Sequence, residues 1–239
     1  MSSESIIVIA GYGSGISQSV ARKWGKQGYK VALVSRTKAK VDAGATTLAK
    51  EGIDAKGFAA DLADAAAVKA VLAEVKTAFG GAAKVKIIHW NATQGVAKGL
   101  LQDAVADTLS KDFAFSVNNI LVAVNAVLPD LEITKGAILV TGGAMALESQ
   151  ELIDATITYN ASNVAIAKAA QRKTVFLLNA SLAPKGIYAG QVTVSGVIKG
   201  SEWDTGSTAG VPVVDPDVVA TRLAELEAKR DVADVIVHA

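Results

Sequence analysis

Ile6-Ile7-Val8-Ile9-Ala10-Gly11-Tyr12-Gly13-Ser14-Gly15-Ile16 is the stretch that decides how this chain folds. Strand formers run into glycines at alternate positions, and an amphipathic segment begins at Ile16, with Val20, Ala21 and Trp24 at helical spacing up to Gly28. Val31-Ala32-Leu33-Val34 reads as a second buried strand, so the order is strand, glycine turn, helix, strand. Such a turn brings backbone N–H groups and the positive end of a helix onto a pyrophosphate. Glycines serve there because a side chain would hold the phosphate away. Gly11, Gly13, Ser14, Gly15 and Ile16 are therefore candidate dinucleotide contacts.

Which dinucleotide binds is decided about 20 residues past the turn, where a carboxylate would grip the ribose 2′-hydroxyl. Ser35 and Arg36 stand there instead, followed by Lys38. A 2′-phosphate meets no repulsion at that tip and finds in Arg36 a planar fork suited to its oxygens, which points to NADP(H) as the cofactor.

The remaining chain keeps alternating. Further strands are predicted over 55–60, 85–90, 136–141, 187–194 and 232–238. Helices are predicted after Arg36, through Val41, Ala45, Leu48 and Ala49 up to Gly52, and from Asp64 up to Gly80-Gly81, then near 101–109, 111–128, 162–182 and 216–229. The helix over 111–128 is expected to stop by Pro129. Met145 to Thr158 mixes acids with small apolar residues and reads as a substrate-side loop, and Val197 to Val214, with Trp203 and Pro212, reads as an irregular lid. Alternation this regular predicts an α/β fold: one domain over 1–239, a doubly wound seven-stranded parallel sheet with helices on both faces.

A formal net charge of +1 leaves no basic field for nucleic acid or anionic membrane, so neither is expected as a partner. The absence of cysteine excludes disulfides and thiolate metal sites and fits a reducing compartment. His89 and His238 lack metal-ligand spacing, so no metal is expected; His89, between Ile88 and Trp90, reads as a core histidine. The start of the chain is polar and no apolar run approaches the roughly 18 residues of a membrane span. A soluble cytoplasmic protein acting on a small-molecule substrate is the expectation.

At this point the residues resemble the short-chain dehydrogenase/reductase family over essentially the whole chain. Gly11 to Ser17 resembles its Gly-x-x-x-Gly-Ile-Gly turn, with serine at the last glycine. Asp61-Leu62 matches the pair that contacts adenine, Asn91-Ala92-Thr93 its Asn-Ala-Gly, and Ser195-Gly196 its Pro-Gly. The resemblance implies a Rossmann fold, a nicotinamide cofactor, and cofactor contacts from Asp61, Leu62, Asn91, Ala92, Thr141, Lys168 and Ile198. It also implies a homodimer or homotetramer built through the fourth and fifth long helices.

The chemistry is where this chain departs from the resemblance. The family uses a tyrosine acid/base, a lysine four residues later that lowers its pKa and holds the nicotinamide ribose, and a serine after the fifth strand. Counting back from Pro184-Lys185-Gly186-Ile187 places the lysine at Lys168 and Val164 where tyrosine should stand; the serine position falls at Gly143 and the helical asparagine near Ser116. A rival register aligns Tyr159-Asn160-Ala161-Ser162-Asn163 with the motif, keeping the tyrosine and losing the lysine. The downstream spacing favours the first, and Lys168 and Tyr159 both stand as catalytic candidates. Two functions stay open: an NADP(H)-dependent oxidoreductase of carbonyl or hydroxyl substrates, and a non-catalytic NADP(H)-binding protein, a redox sensor or partner protein that kept the pocket.

Overall fold

The computed structural model describes residues 4–93, 99–201, 204–205 and 211–238. Its elements follow in chain order as β1 (Ser5–Ala10), α1 (Ile16–Gly25), β2 (Lys30–Ser35), α2 (Lys38–Lys50), β3 (Ala55–Ala59), α3 (Ala65–Ala78) and β4 (Lys84–Trp90). Then come α4 (Ala106–Phe113), a π-helical segment (Ala114–Asn118), α5 (Asn119–Thr134), β5 (Ala137–Gly143), α6 (Gln150–Thr158) and α7 (Ser162–Leu182). The chain ends with β6 (Tyr188–Ser195), β7 (Val197–Ile198), β8 (Val213–Val214), α8 (Pro216–Lys229) and β9 (Asp234–His238). Seven strands form one parallel sheet, as the alternation predicts, and their order is β3-β2-β1-β4-β5-β6-β9.

The two cores come from the period-2 geometry of the strands. Ile6, Val8 and Ala10 face one way, toward apolar residues of α3, α5 and α7; Ile7 and Ile9 face the other, toward α1, α2 and α8. Both faces are covered, which is why these strands read as unbroken apolar runs. The strand order reverses between β1 and β4, and ligands of such sheets bind beyond the carboxyl ends of the strands at that point.

Four expectations are corrected. Pro129 does not stop its helix: α5 runs on to Thr134, because Leu131 is buried and Asp130 is anchored. The Asp130 carboxylate accepts from Val85 N at 3.1 Å and from Lys76 Nζ at 3.0 Å, which ties the turn after the proline to β4 and α3. The weak stretch after Met145 contains a real helix, α6, with the Ser149 hydroxyl accepting from Leu152 N at its start. In the expected lid, Val197–Ile198 pairs with Val213–Val214 as a two-stranded parallel ribbon, and Trp203 lies outside the described residues. Finally, the run Ala106–Thr134 is long and apolar enough, by length and composition, to cross a bilayer. Asn118, Asn119 and Asn125 dilute its apolar pattern in the sequence, and its buried residues, among them Ile120, Val124 and Val127, pack into the core under the sheet.

Candidate active site

The turn after β1 is shaped by contact. Gly11 has φ +94°, and a Cβ there would stand 2.5 Å from Ala92 N, so only glycine fits. Asn91 closes the same corner: its backbone N–H donates to Ala10 O at 2.8 Å and its side-chain amide to Gly11 O at 3.3 Å. Gly15 has φ +85°, and a Cβ on it would come within 3.0 Å of Ile198 Cγ2, which brings the predicted contact Ile198 over the turn. Ile16 is buried and Ser14 exposed. Ser17, where the family pattern has glycine, uses its hydroxyl to knit the turn: it accepts from Gly13 N at 2.8 Å and donates to Gly13 O at 2.9 Å.

The tip of β2 carries Ser35 and the exposed Arg36. The Ser35 hydroxyl is buried and has no hydrogen-bond partner, an orphaned polar atom beside the cradle. Lys40, from the first turn of α2, reaches the same region, its Nζ 3.6 Å from where a Cβ on Gly13 would stand. Leu62 is buried, and Asp61, at the end of β3, is exposed and accepts from Ala63 N at 3.0 Å.

Near the carboxyl end of β5, Lys168, in the second turn of α7, donates to Thr141 O at 3.3 Å and to Gln171 Oε1 at 3.0 Å. Its amino group is packed within the protein, and burial pulls its pKa down to about 8. The Thr141 hydroxyl meets His89 Nε2 at 3.1 Å. His89 is fully buried, which lowers its pKa to about 3 and keeps it neutral, and its Nδ1 has no partner. Gly143 has an ordinary extended backbone, φ −140°, and a Cβ there would meet nothing among the described residues within 4 Å. Ser116 is buried in the π-helical segment, while Asn119 is turned away to donate to Leu62 O at 2.8 Å.

Tyr159 caps the end of α6 and is 53% exposed; its hydroxyl makes no hydrogen bond to Lys168. The structure thus gathers Gly11, Asn91, Ala92, Gly15 and Ile198 into one cradle and Lys168 with Thr141 into a second cluster, and leaves Tyr159 at the surface. Sequence reasoning noted Ser17 without giving it a role, and missed Lys40, Gln171, Gln191 and Thr193. Gln171 was findable, since it lies three residues past Lys168 on the same helix face, and Gln191 and Thr193 are polar residues two apart in an apolar strand.

A model of the family described as short chain dehydrogenase matches residues 5–205. The chain belongs to that family. With it comes the coarse activity, that of a short-chain-type NAD(P)-dependent oxidoreductase. Among curated relatives, 2-(S)-hydroxypropyl-CoM dehydrogenase 3 of Xanthobacter autotrophicus is 26% identical, covering 97% of this chain and 88% of its own. A metagenomic short-chain oxidoreductase in complex with NADP shares the fold at a TM-score of 0.80 and 20% identity, covering 98% of this chain and 97% of that one. The NADPH-bound short chain oxidoreductase of Pseudomonas aeruginosa containing an atypical catalytic center superposes at 0.78 with 19% identity, over 97% and 95%. In this short-chain dehydrogenase the cradle follows β1 and the Lys168 cluster adjoins Thr141 near the carboxyl end of β5.

Proposed function

We propose that this protein is an NADP(H)-dependent oxidoreductase that interconverts a carbonyl and a hydroxyl on a small substrate, with a catalytic set that lacks the family's tyrosine. The observation that carries the cofactor reading is the β2 tip, where a buried, unpartnered Ser35 hydroxyl adjoins an exposed Arg36 and no carboxylate is present. The residues fit the dinucleotide: Gly11 and Gly15 leave the backbone bare, Ser35 and Arg36 face the ribose end, and Asn91, Ala92, Thr141 and Ile198 line the way to Lys168. When bound, the nicotinamide supplies or takes up the hydride. The chain's part is to bind, to orient, and to move a proton at the substrate oxygen. That both neighbours named above carry NADP or NADPH agrees with this reading.

Titration with NADPH and NADH at matched salt is the test. NADPH is expected to bind more tightly, and Arg36→Ala to weaken NADPH by about 10- to 100-fold while sparing NADH, the loss expected of one charge-assisted phosphate contact of about 1.5 to 3 kcal/mol. Equal affinities in the parent sink the reading.

One observation favours a second reading, a non-catalytic NADP(H)-binding protein: Val164 and Gly143 set no hydroxyl beside Lys168, and Tyr159 is exposed. Turnover of a panel of aldehydes and ketones with NADPH separates the two. We also propose self-association with a second copy through α5 and α7, on which Leu121, Ile133, Ile166, Phe176 and Leu177 are exposed. A monomer in sedimentation at micromolar concentration overturns that.

A further inference from the structure

Two glutamines to which the family resemblance assigns no role hold Lys168 in place. Gln171, fully buried one turn along α7, accepts from Lys168 Nζ at 3.0 Å. Its own amide nitrogen donates to Thr141 O at 3.0 Å and to Gln191 Oε1 at 3.4 Å. Gln191, also fully buried, donates to the Thr193 hydroxyl at 2.9 Å, and Thr193 donates to Asp234 at 2.7 Å. Asp234 completes the chain in an ion pair with Arg172 at 2.6 Å, on the edge strand β9. The amide of Gln171 therefore cannot turn without breaking bonds in a buried series, and such series are worth more than their separate members.

The consequence falls on the ammonium group. Lys168 gives two of its three N–H bonds to neutral oxygens, Thr141 O and Gln171 Oε1, which leaves a third to give. One turn upstream Val164 has no proton to offer, and the space at Gly143 is open. We propose that Lys168 is itself the acid that protonates the substrate oxygen, and that Gln171 is the positioning residue that aims it. This rests on the carbonyl-reductase reading above.

The step balances. The carbonyl carbon gains the hydride, the C=O π pair moves to oxygen, and one Nζ–H bond breaks as the O–H bond forms. The carbonyl is reduced to an alcohol and the dinucleotide is oxidised; the neutral amine then takes a proton from water. Charged and titratable groups on the elements packed around Lys168 leave it free to do this. His89 on β4 is neutral, Asp234 on β9 is held by Arg172, and Asp112 on α4 is buried, which raises its pKa. No carboxylate among the described residues bonds it, and burial brings its pKa down to about 8. Reduction needs the charged form and falls as pH rises through that value; oxidation needs the neutral amine and rises there.

The test compares two variants that push the lysine in opposite directions. Gln171→Leu removes one acceptor of the ammonium and is expected to lower its titration midpoint by about one pH unit; Gln171→Glu adds a negative charge and is expected to raise it by at least as much. The midpoint is read in cofactor-free protein from the NMR signal of isotope-labelled lysine that disappears in Lys168→Arg. It is read again, with NADPH, from the pH profile of carbonyl reduction. The expected result is that both midpoints move together, down in one variant and up in the other, and that Lys168→Ala loses turnover that added ethylamine partly restores. A reduction profile that keeps its midpoint in both variants overturns the proposal and leaves the reductase reading standing. Absence of turnover across the panel, with NADPH bound, overturns both. A Lys168 signal that does not move in either variant overturns the role of Gln171.

Discussion

Gly11, after β1, and Gly143, at the end of β5, lie on either side of β4 in one sheet, and an added Cβ meets opposite fates at the two. At Gly11 it would collide with the backbone of Ala92 at 2.5 Å in a conformation, φ +94°, that L residues avoid; at Gly143 it would enter empty space from an ordinary extended backbone. The first glycine is required by geometry and the second is not. The cofactor side is therefore held to its family form by packing. On the reading proposed above, the catalytic side has open space at Gly143 where the resemblance would place a serine.

The sharpest way to break this contrast is Gly11→Ala. The strained φ and the backbone collision together are expected to cost about 2 to 5 kcal/mol and to abolish dinucleotide binding. A thermal melt and an NADPH titration read both effects. Retained binding at parental stability would show that the cradle is not what the contact geometry makes it.

Next in size is restoration of the missing hydroxyls. Val164→Tyr with Gly143→Ser places a tyrosine four residues ahead of Lys168 on one face of α7 and fills the open space in β5. Carbonyl reduction is expected to rise, by less than the roughly 100- to 10,000-fold that a positioned acid is worth over none, because Lys168 already supplies a proton, and provided the substrate enters. The pH profile should also change its controlling group from lysine to phenol. No rise on any substrate that the parent reduces would break the register through Lys168.

How much of this was legible follows the same division. The cradle was readable because a backbone turn leaves its mark in residue type: Gly11 and Gly15 have positive φ, and the apolar runs on either side show strands covered on both faces. The seven-stranded parallel sheet followed from strand and helix alternation, without its strand order. Helix ends were less legible where tertiary anchors override local rules, as Asp130 does just past Pro129. The Lys168 cluster was legible only in part. Lys168 and Val164 came from counting back from Pro184, but the bonds from Gln171 to Gln191 and from Thr193 to Asp234 join residues 20 and 41 positions apart, which no local pattern connects. Tyr159 was a candidate by motif, and its exposure follows from α6, a helix the weak periodicity of that stretch did not predict.

The smallest expected effect is the most direct check on the comparison. Gly143→Ala adds a single methyl group at the position where the family carries serine. Its φ of −140° is one that any residue adopts, and nothing among the described residues lies within 4 Å of the new atom, so neither strain nor overpacking applies. Losing glycine's freedom in the unfolded chain favours the variant slightly, by about 0.4 to 1 kcal/mol at a compatible site. The melting temperature should therefore hold or rise a little, and NADPH affinity should stay within about twofold, a change of roughly 0.4 kcal/mol. The same substitution at Gly11 is expected to remove both properties. Were Gly143→Ala to lower stability by more than about 1 kcal/mol, beyond the ordinary range for a substitution with no named defect, something would have to occupy that space. The catalytic side would then be closed by other groups, and the restored tyrosine and serine would have no room to act.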